Sequence, residues 1–268
     1  MITEKKIKVK NQSLSTYTNG SGNNAIIFVH GNSCSGEYWL PQLNDAELAA
    51  KYRLVGFDLP GHGKSGKSND YDIQTLGKGL PAFVKHLSLT SYIVVSISLG
   101  TIIVSETADK LEGCKGFFMV SPNIVSNEYP PASFLIPVPG VECIMSPDAT
   151  DEVLTGFASI LAGGNKTMIE LYKTTYRQTD PAFRIQLAKS VVENGWTDEI
   201  AKLKKAAVPV CILFGENEKV INVNYLDNLP NKWQDKVFHI KNAAHFVNND
   251  QPAEFNKLLA DFAQDIFK

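Results

Sequence analysis

Three features are absent from the 268-residue sequence, and each absence excludes a class of protein. The four cysteines form no C-x-x-C pair, so neither a redox motif nor a zinc knuckle is indicated, and we expect free thiols. No stretch approaches the ~18 consecutive apolar residues of a membrane helix, and Met1 to Lys6 include no apolar signal core. We therefore expect a cytoplasmic protein with no membrane partner. The cysteines are Cys34, Cys114, Cys143 and Cys211.

The sequence also lacks a large excess of either positive or negative charge. The 26 basic and 28 acidic residues give a net charge of −2, and no long block of like charge occurs, so nucleic acid is not an expected partner. The histidines lack zinc-binding spacing, and the Gly-Lys-Ser at 63–65 lacks the spacing of a phosphate-binding loop. We expect no metal and no cofactor.

Apolar runs alternate with helical patterns along most of the chain, which predicts an α/β fold. An N-terminal hairpin turns at Asn11-Gln12, and six further strands follow. Because these strands are almost continuously apolar, they suit a mostly parallel sheet with helices on both faces. The eight strands include those predicted at 25–29, 53–57, 92–96, 116–120, 208–214 and 237–240, and helices are predicted at 38–50, 73–87, 99–111 and 252–267.

The alternation stops between residues 123 and 207. This stretch begins with five prolines and continues with helical segments at 151–161, 166–177 and 181–194. We expect a core domain made of residues 1–123 and 198–268, and a helical cap insertion at 124–197. We refer to residues 124–197 as the cap segment.

Small residues around Ser98 predict a nucleophile. The chain reads Ser96-Ile97-Ser98-Leu99-Gly100 between a buried strand and a helix, and a tight turn of this kind requires small residues two positions before and after the nucleophile. Ser96 is a weaker candidate because it lies within the strand. Ser98 as a simple helix N-cap is the other alternative.

The partners that Ser98 would need follow other strands at the same sheet edge. His245 is the predicted base, and Glu218 is the predicted acid that orients it. The amides of Leu99 and Asn32 are predicted to form the oxyanion hole. His30, His62 and Glu216 are competing candidates for the base and the acid.

Several residues are expected to line a substrate pocket. They are Asn32, Ser33 and Cys34 in the loop after the third strand, with Asn32 offering both its amide and its side chain. Cap aromatics that face the site would add an apolar acyl pocket, and the candidates are Phe134, Phe157, Tyr172 and Tyr176. Asp58 is expected to shape the glycine turn at 61–63.

These motifs resemble the α/β-hydrolase superfamily from about residue 13 onward. The matching motifs are His30-Gly31-Asn32, the run from Asp58 to Ser65, Ser98-Leu99-Gly100, Gly215 with Glu218, and Ala244-His245-Phe246. Within that superfamily, the loops at 30–36, 41–43 and 58–65 look like those of N-acyl homoserine lactone lactonases, which also use glutamate as the triad acid. Two positions depart from the family pattern. Ser96 replaces a glycine, and Thr101 stands where many relatives have a second glycine, which is expected to narrow the floor of the site.

The resemblance implies a serine hydrolase that cleaves a small carboxylic ester or lactone through a Ser-His-Glu triad. One alternative is a ligand-binding or signalling protein that retains the triad without repeated turnover. Another is a cofactor-free haloperoxidase or carbon–carbon hydrolase with the same triad. Dehalogenase and epoxide hydrolase chemistry is disfavoured because those relatives have aspartate at the position of Ser98.

Overall fold

The computed structural model describes residues 1–229 and 231–268, and a single eight-stranded sheet forms its centre. The spatial order is β1-β2-β4-β3-β5-β6-β7-β8. Strands β1 and β2 run antiparallel at one edge, and all other strands are parallel to one another. The predicted mostly parallel sheet with an antiparallel edge hairpin is confirmed. The strands are β1 (Thr3–Val9), β2 (Gln12–Asn19), β3 (Ala25–Val29), β4 (Arg53–Phe57), β5 (Tyr92–Ile97), β6 (Cys114–Val120), β7 (Val210–Gly215) and β8 (Lys232–Ile240).

The central strands explain where the site lies. Every residue of β3, β5 and β7 is buried, as expected for apolar strands covered on both faces. The chain moves from β3 to β4 on one side and then crosses to β5 on the other, so β3 and β5 flank the point where the strand order reverses. Val29 pairs with Ser96 across these strands. Loops that leave the carboxyl ends of such neighbours form the usual ligand crevice of an open α/β sheet.

Helices cover both faces of the sheet, and their boundaries agree closely with the prediction in most cases. In the part of the chain that the structure describes, no helix is long and apolar enough to cross a membrane. The helices are α1 (Leu40–Leu43), α2 (Ala46–Lys51), α3 (Ile73–His86), α4 (Leu99–Ser105), α5 (Asp151–Leu161), α6 (Lys166–Gln178), α7 (Pro181–Val192), α8 (Glu199–Ala206), α9 (Val247–Asp250) and α10 (Pro252–Ile266).

Two helix predictions were wrong in detail. The single helix expected at 38–50 is a 3₁₀ turn (Gly36–Trp39) followed by α1 and α2, because the Asp45 carboxylate caps the Leu48 amide and begins a new helix. The helix expected at 99–111 ends at Ser105, and a 3₁₀ turn (Ala108–Lys110) follows.

The cap segment contains α5, α6 and α7, preceded by 3₁₀ turns at Pro131–Ser133 and Val141–Met145. Each of the three helices begins with a side-chain cap, from Thr150, Asn165 and Asp180 respectively. An isolated β-bridge joins Leu135 to Ile221 and so connects this segment to the loop after β7. The division into a core unit and a cap unit stays a prediction.

The close approach of α4 to β3 makes Gly100 indispensable. A Cβ atom at this position would lie 2.7 Å from the carbonyl oxygens of both Val29 and His30. Because both contacts are backbone atoms, they cannot rotate away as a side chain would. We expect Gly100→Ala to lower the free energy of unfolding by about 1–3 kcal/mol, measured by urea denaturation.

Gly79 supplies the matched control for Gly100. It lies in α3, and a Cβ there meets nothing within 4 Å. Gly79→Ala should therefore raise the free energy of unfolding by up to about 1 kcal/mol, because alanine favours the helix. Similar stabilities for the two variants would contradict the crowding argument.

Candidate active site

Ser98 occupies a strained turn between β5 and α4. Its backbone angles are φ 52° and ψ −124°, a region that L residues rarely adopt. The Ser98 amide donates to the carbonyl of Val120, and the Thr101 hydroxyl donates to the Ser98 carbonyl at 2.6 Å. Thr101 in turn accepts the amide of Asn123. This is the strand–turn–helix geometry that exposes a nucleophilic hydroxyl.

The two departures from the family pattern have different consequences. Ser96 is fully buried within β5, and its hydroxyl has no partner in the described ranges 1–229 and 231–268. It does not line the cavity described below, whereas Ser98 does. Thr101 does not line this cavity either, so the expected narrowing of its floor is not seen. Thr101 instead locks the turn through its hydroxyl.

The predicted acid and base are in direct contact. His245 Nδ1 lies 2.8 Å from Glu218 Oε2, with side chains that are 4% and 0% exposed. Burial acts to raise the pKa of Glu218, but the His245 charge and hydrogen bonds from His245, Ser121 and the Val220 amide outweigh it. The pKa of Glu218 is therefore lowered. A charged carboxylate is thus held against the imidazole, as required of a group that orients a base.

The competing candidates occupy other positions. Both ring nitrogens of His30 are engaged, one with the Gly31 carbonyl and one with the Leu59 amide, and burial lowers its pKa to about 4. His62 is buried against Phe183, with ring centroids 4.4 Å apart, and burial also lowers its pKa. Neither histidine lines the cavity. The side chain of Glu216 is exposed.

A half-buried carboxylate, Asp250, holds the loop that carries His245. Asp250 Oδ2 accepts the amide of Ala244 at 2.9 Å, and the His245 amide donates to the Leu161 carbonyl in the cap segment. Gly215 lies beneath this loop, where a Cβ would come within 2.3 Å of two of its carbonyl oxygens. The position of His245 is therefore set by contacts on three sides.

The predicted oxyanion donors lie beside Ser98. Gly31 approaches so closely that a Cβ there would lie 3.3 Å from Ser98 Cβ. Asn32, Leu99, Ser98 and His245 all line one cavity. Within residues 1–229 and 231–268, the amides of Asn32 and Leu99 donate to no protein acceptor. Two backbone donors are thus available where negative charge would develop.

The cavity lies between the sheet edge and the cap segment and is predominantly apolar. Its empty volume is about 880 Å³, including its mouth. Three of the four expected aromatics, Phe134, Phe157 and Tyr172, line it, whereas Tyr176 does not. The other apolar lining residues include Ile73, Ile97, Ile102, Val125, Leu161, Leu187, Val191, Trp196, Val220, Ile221 and Phe246. A site of this kind suits an acyl chain.

The three loop residues predicted to contact substrate differ in position. Cys34 lines the cavity, and burial raises the pKa of its thiol to about 12, so it is a wall residue without thiolate character. Asn32 lines the cavity too, but its side chain donates to the Ile144 carbonyl and accepts from Ser33. Ser33 is fully buried and does not line the cavity. Its left-handed backbone (φ 55°) accompanies a hydroxyl bonded to Asn32 and Arg184.

Sequence reasoning missed two supporting residues. The Ser121 hydroxyl donates to Glu218 Oε2 at 2.6 Å, and Asp250 holds the Ala244 amide. Asp58, expected to shape the glycine turn, accepts the amides of Gly36 and Lys64.

Across residues 1–229 and 231–268, no group of three or more His, Cys, Asp or Glu side chains is arranged to hold a metal ion.

Comparison with known sequences assigns the family. The sequence model described as "Alpha/beta hydrolase family" matches residues 26–258. The chain belongs to the alpha/beta hydrolase family. Similar curated proteins include a putative non-heme bromoperoxidase, BpoC, from Mycobacterium tuberculosis, which is 23% identical over 91% of this chain and 95% of the relative. Another is 3-oxoadipate enol-lactonase 1 from Acinetobacter baylyi, which is 22% identical over 99% of this chain and 97% of its own.

Solved structures confirm the alpha/beta hydrolase fold. A mutant of the N-acyl homoserine lactonase AidH, complexed with N-hexanoyl homoserine lactone, superposes with a TM-score of 0.89 at 22% identity. The match covers 99% of this chain and 98% of AidH. A putative aryl esterase from Burkholderia cenocepacia superposes with a TM-score of 0.82 at 21% identity, covering 99% of both chains.

Asp250 makes stability depend on pH. Burial raises its pKa from the ordinary 3.8 to about 6, although the Ala244 amide, the charge of His245 and Asn165 act against burial. Between these values Asp250 binds more protons in the folded protein than in the unfolded chain, so the contribution of this group to stability falls as pH rises from 4 to above 6. Asp250→Asn should abolish this fall while keeping an acceptor for Ala244.

Urea denaturation at pH 4.5 and pH 7.5 measures this effect. The free energy of unfolding of Asp250→Asn minus that of the wild type should be about 1 kcal/mol larger at pH 7.5 than at pH 4.5. This value allows for solvent screening of a partly exposed group. Asp261→Asn, on the exposed face of α10, is the control. A difference that stays constant with pH would contradict the assignment.

Proposed function

We propose that the protein is a serine hydrolase that cleaves a carboxylic ester or lactone. The observation that carries this proposal is the buried Glu218–His245 pair, whose histidine lines the same apolar cavity as the strained Ser98. Chain order supports it as well, since nucleophile, acid and base follow one another as in α/β-hydrolases.

In this mechanism, Ser98 Oγ attacks the substrate carbonyl while His245 takes its proton. Glu218 stays ionised, orients the imidazole and stabilises the imidazolium that forms. The amides of Leu99 and Asn32 donate to the oxyanion of the tetrahedral intermediate. His245 then protonates the leaving oxygen, and water hydrolyses the acyl-enzyme with His245 again acting as base.

Two polar atoms on cavity-lining residues favour an N-acyl lactone as substrate. The Tyr172 hydroxyl and the side-chain oxygen of Asn123 are buried, and within the described ranges neither has a hydrogen-bond partner apart from the weak contact of Tyr172 with the Cys143 thiol. Both residues line the otherwise apolar cavity. A buried polar atom without a partner is costly, so a ligand amide, which both donates and accepts, would satisfy them. The similarity in fold to AidH, a named N-acyl homoserine lactonase, agrees with this assignment.

A haloperoxidase is the second candidate, because the similar relative BpoC is named as a putative non-heme bromoperoxidase. The same three side chains would serve it. Bromination of a phenol in the presence of bromide, hydrogen peroxide and a carboxylic acid tests this candidate. Rapid bromination without lactone hydrolysis would favour the haloperoxidase. A single burst of hydrolysis product without further turnover would instead favour a ligand-binding protein.

Ser98→Ala tests the nucleophile. We expect it to lower kcat on 4-nitrophenyl butyrate at least about 10³-fold, because the acyl-enzyme cannot form. Ser96→Ala is the matched control, since it removes the rival hydroxyl two residues earlier and should leave kcat within twofold. Steady-state hydrolysis measures both. Retained activity in Ser98→Ala, or its loss in Ser96→Ala, would overturn the assignment.

Tyr172→Phe tests the substrate class. Removal of the Tyr172 hydroxyl should lower kcat/KM for N-hexanoyl homoserine lactone by about tenfold, because one hydrogen bond to the substrate is lost. A simple alkyl lactone such as γ-decalactone lacks the amide and should react at an unchanged rate. Ring opening is followed by proton release. An equal effect on both lactones would reject amide recognition by Tyr172.

A further inference from the structure

Arg184 in α7 is a buried cation that the mechanism above does not use. Its side chain is only 2% exposed, and among the described residues it forms no salt bridge. Burial lowers its pKa, and a guanidinium without a carboxylate partner is costly to bury. A cost of this kind calls for a compensating role.

Neutral acceptors surround the guanidinium instead. Nε donates to the Ser146 carbonyl at 2.7 Å, and Nη2 donates to the Pro147 carbonyl at 2.8 Å. Nη1 donates to the Tyr176 carbonyl at 3.1 Å, and the Tyr176 ring stacks 3.8 Å from the guanidinium carbon. These four contacts lie within the cap segment. They fix the guanidinium plane rigidly.

One remaining contact leaves the cap segment. Nη1 also donates to Ser33 Oγ at 3.2 Å, and Ser33 Oγ donates to Asn32 Oδ1 at 2.7 Å. Asn32 Nδ2 then donates to the Ile144 carbonyl, back in the cap segment. The result is a chain of hydrogen bonds from a fixed cation to the residue whose amide is the predicted oxyanion donor. Each bond in such a chain polarises the next.

The backbone conformation of Ser33 connects this series of hydrogen bonds to the position of the Asn32 amide. Ser33 has a left-handed φ of 55°, which costs a non-glycine residue about 1 kcal/mol or more. The hydrogen bonds of its hydroxyl hold that conformation, and Ser33 directly follows Asn32. The orientation of the Asn32 amide therefore depends on the Ser33 hydroxyl and, through it, on Arg184.

We propose that Arg184 is a positioning residue that sets the oxyanion loop, Gly31 to Cys34, through the Ser33 hydroxyl and the Asn32 side chain. This inference rests on the proposed hydrolase function. It links cap docking to catalysis, because the oxyanion donor is aligned only while α7 lies against the loop.

A double-mutant cycle on kcat tests the link. Ser33→Ala cuts the chain but leaves the contacts of Arg184 within the cap segment intact. We expect it to lower kcat on 4-nitrophenyl butyrate about tenfold to a hundredfold, with KM nearly unchanged, since small misplacements of a donor have effects of that size. Arg184→Met should lower kcat similarly in wild type, but by less than threefold in the Ser33→Ala background.

Controls separate positioning from folding. Ser33→Gly adopts the left-handed backbone without strain but lacks the hydroxyl, so it should retain more kcat than Ser33→Ala does. Arg177→Met removes an exposed cap arginine, and Ser159→Ala removes a cap hydroxyl, so both should keep kcat. Full kcat in Ser33→Ala, or an Arg184→Met effect of equal size in both backgrounds, would overturn the proposal.

A readout that needs no turnover keeps this test distinct from that of the hydrolase function. In Ser33→Ala and Arg184→Met, the ¹H–¹⁵N amide resonance of Asn32 should shift, whereas that of Gly79 in α3 should not. An unmoved Asn32 resonance would refute the link even in an active enzyme. A shift without ester hydrolysis in wild type would retain the link and reject the hydrolase function.

Discussion

The pairing of β3 with β5 is the constraint on which the site depends. Val29 faces Ser96 across these strands, so the loop after β3 and the turn after β5 leave the sheet side by side. The loop that carries Asn32 and the turn that carries Ser98 are thus brought together by backbone hydrogen bonds of fully buried strands. Gly100 then allows α4 to approach the end of β3 more closely than a side chain would permit, and a Cβ at Gly31 would be tight against Ser98 Cβ, at 3.3 Å. A shift of register by one residue would separate them and reverse which side chains face each layer.

On the other side of the site, the groups around two carboxyl side chains determine their pKa values. Glu218 has no exposed side-chain surface, yet its pKa is lowered, because the charge and hydrogen bond of His245 and the hydrogen bonds from Ser121 and the Val220 amide outweigh burial. Asp250, nearby, has fewer donors, and burial raises its pKa. The pKa values of two carboxyl groups near one histidine are therefore shifted in opposite directions, because the favourable interactions of Glu218 outweigh its burial and those of Asp250 do not.

Sequence patterns predicted the parts of this structure that depend on local chemistry. Continuous apolar runs indicated the central strands, and small residues around Ser98 indicated the turn. The supporting contacts of Ser121 and Arg184 could not be predicted, because each joins positions about a hundred or more residues apart, and Asp250 holds the Ala244 amide through a side chain with no motif around it. For Ser33, position in the sequence did not predict the direction of the side chain. It was expected to reach substrate because its neighbours do, but its left-handed backbone accompanies a hydroxyl directed away from the cavity. The break before α2 was locally encoded by the Asp45 cap.

Two hydrogen bonds link the cap segment to loops that carry candidate catalytic residues. Ile144 accepts from Asn32, and the Leu161 carbonyl accepts from the His245 amide. Both cap contacts use polar atoms of loops that the mechanism needs to keep fixed. The segment that shapes the cavity therefore also restrains the oxyanion loop and the base. Substitutions that reshape the cavity from α5 or the 141–145 turn act on these restraints as well, so in this fold a change of substrate pocket is coupled to a change in catalytic geometry.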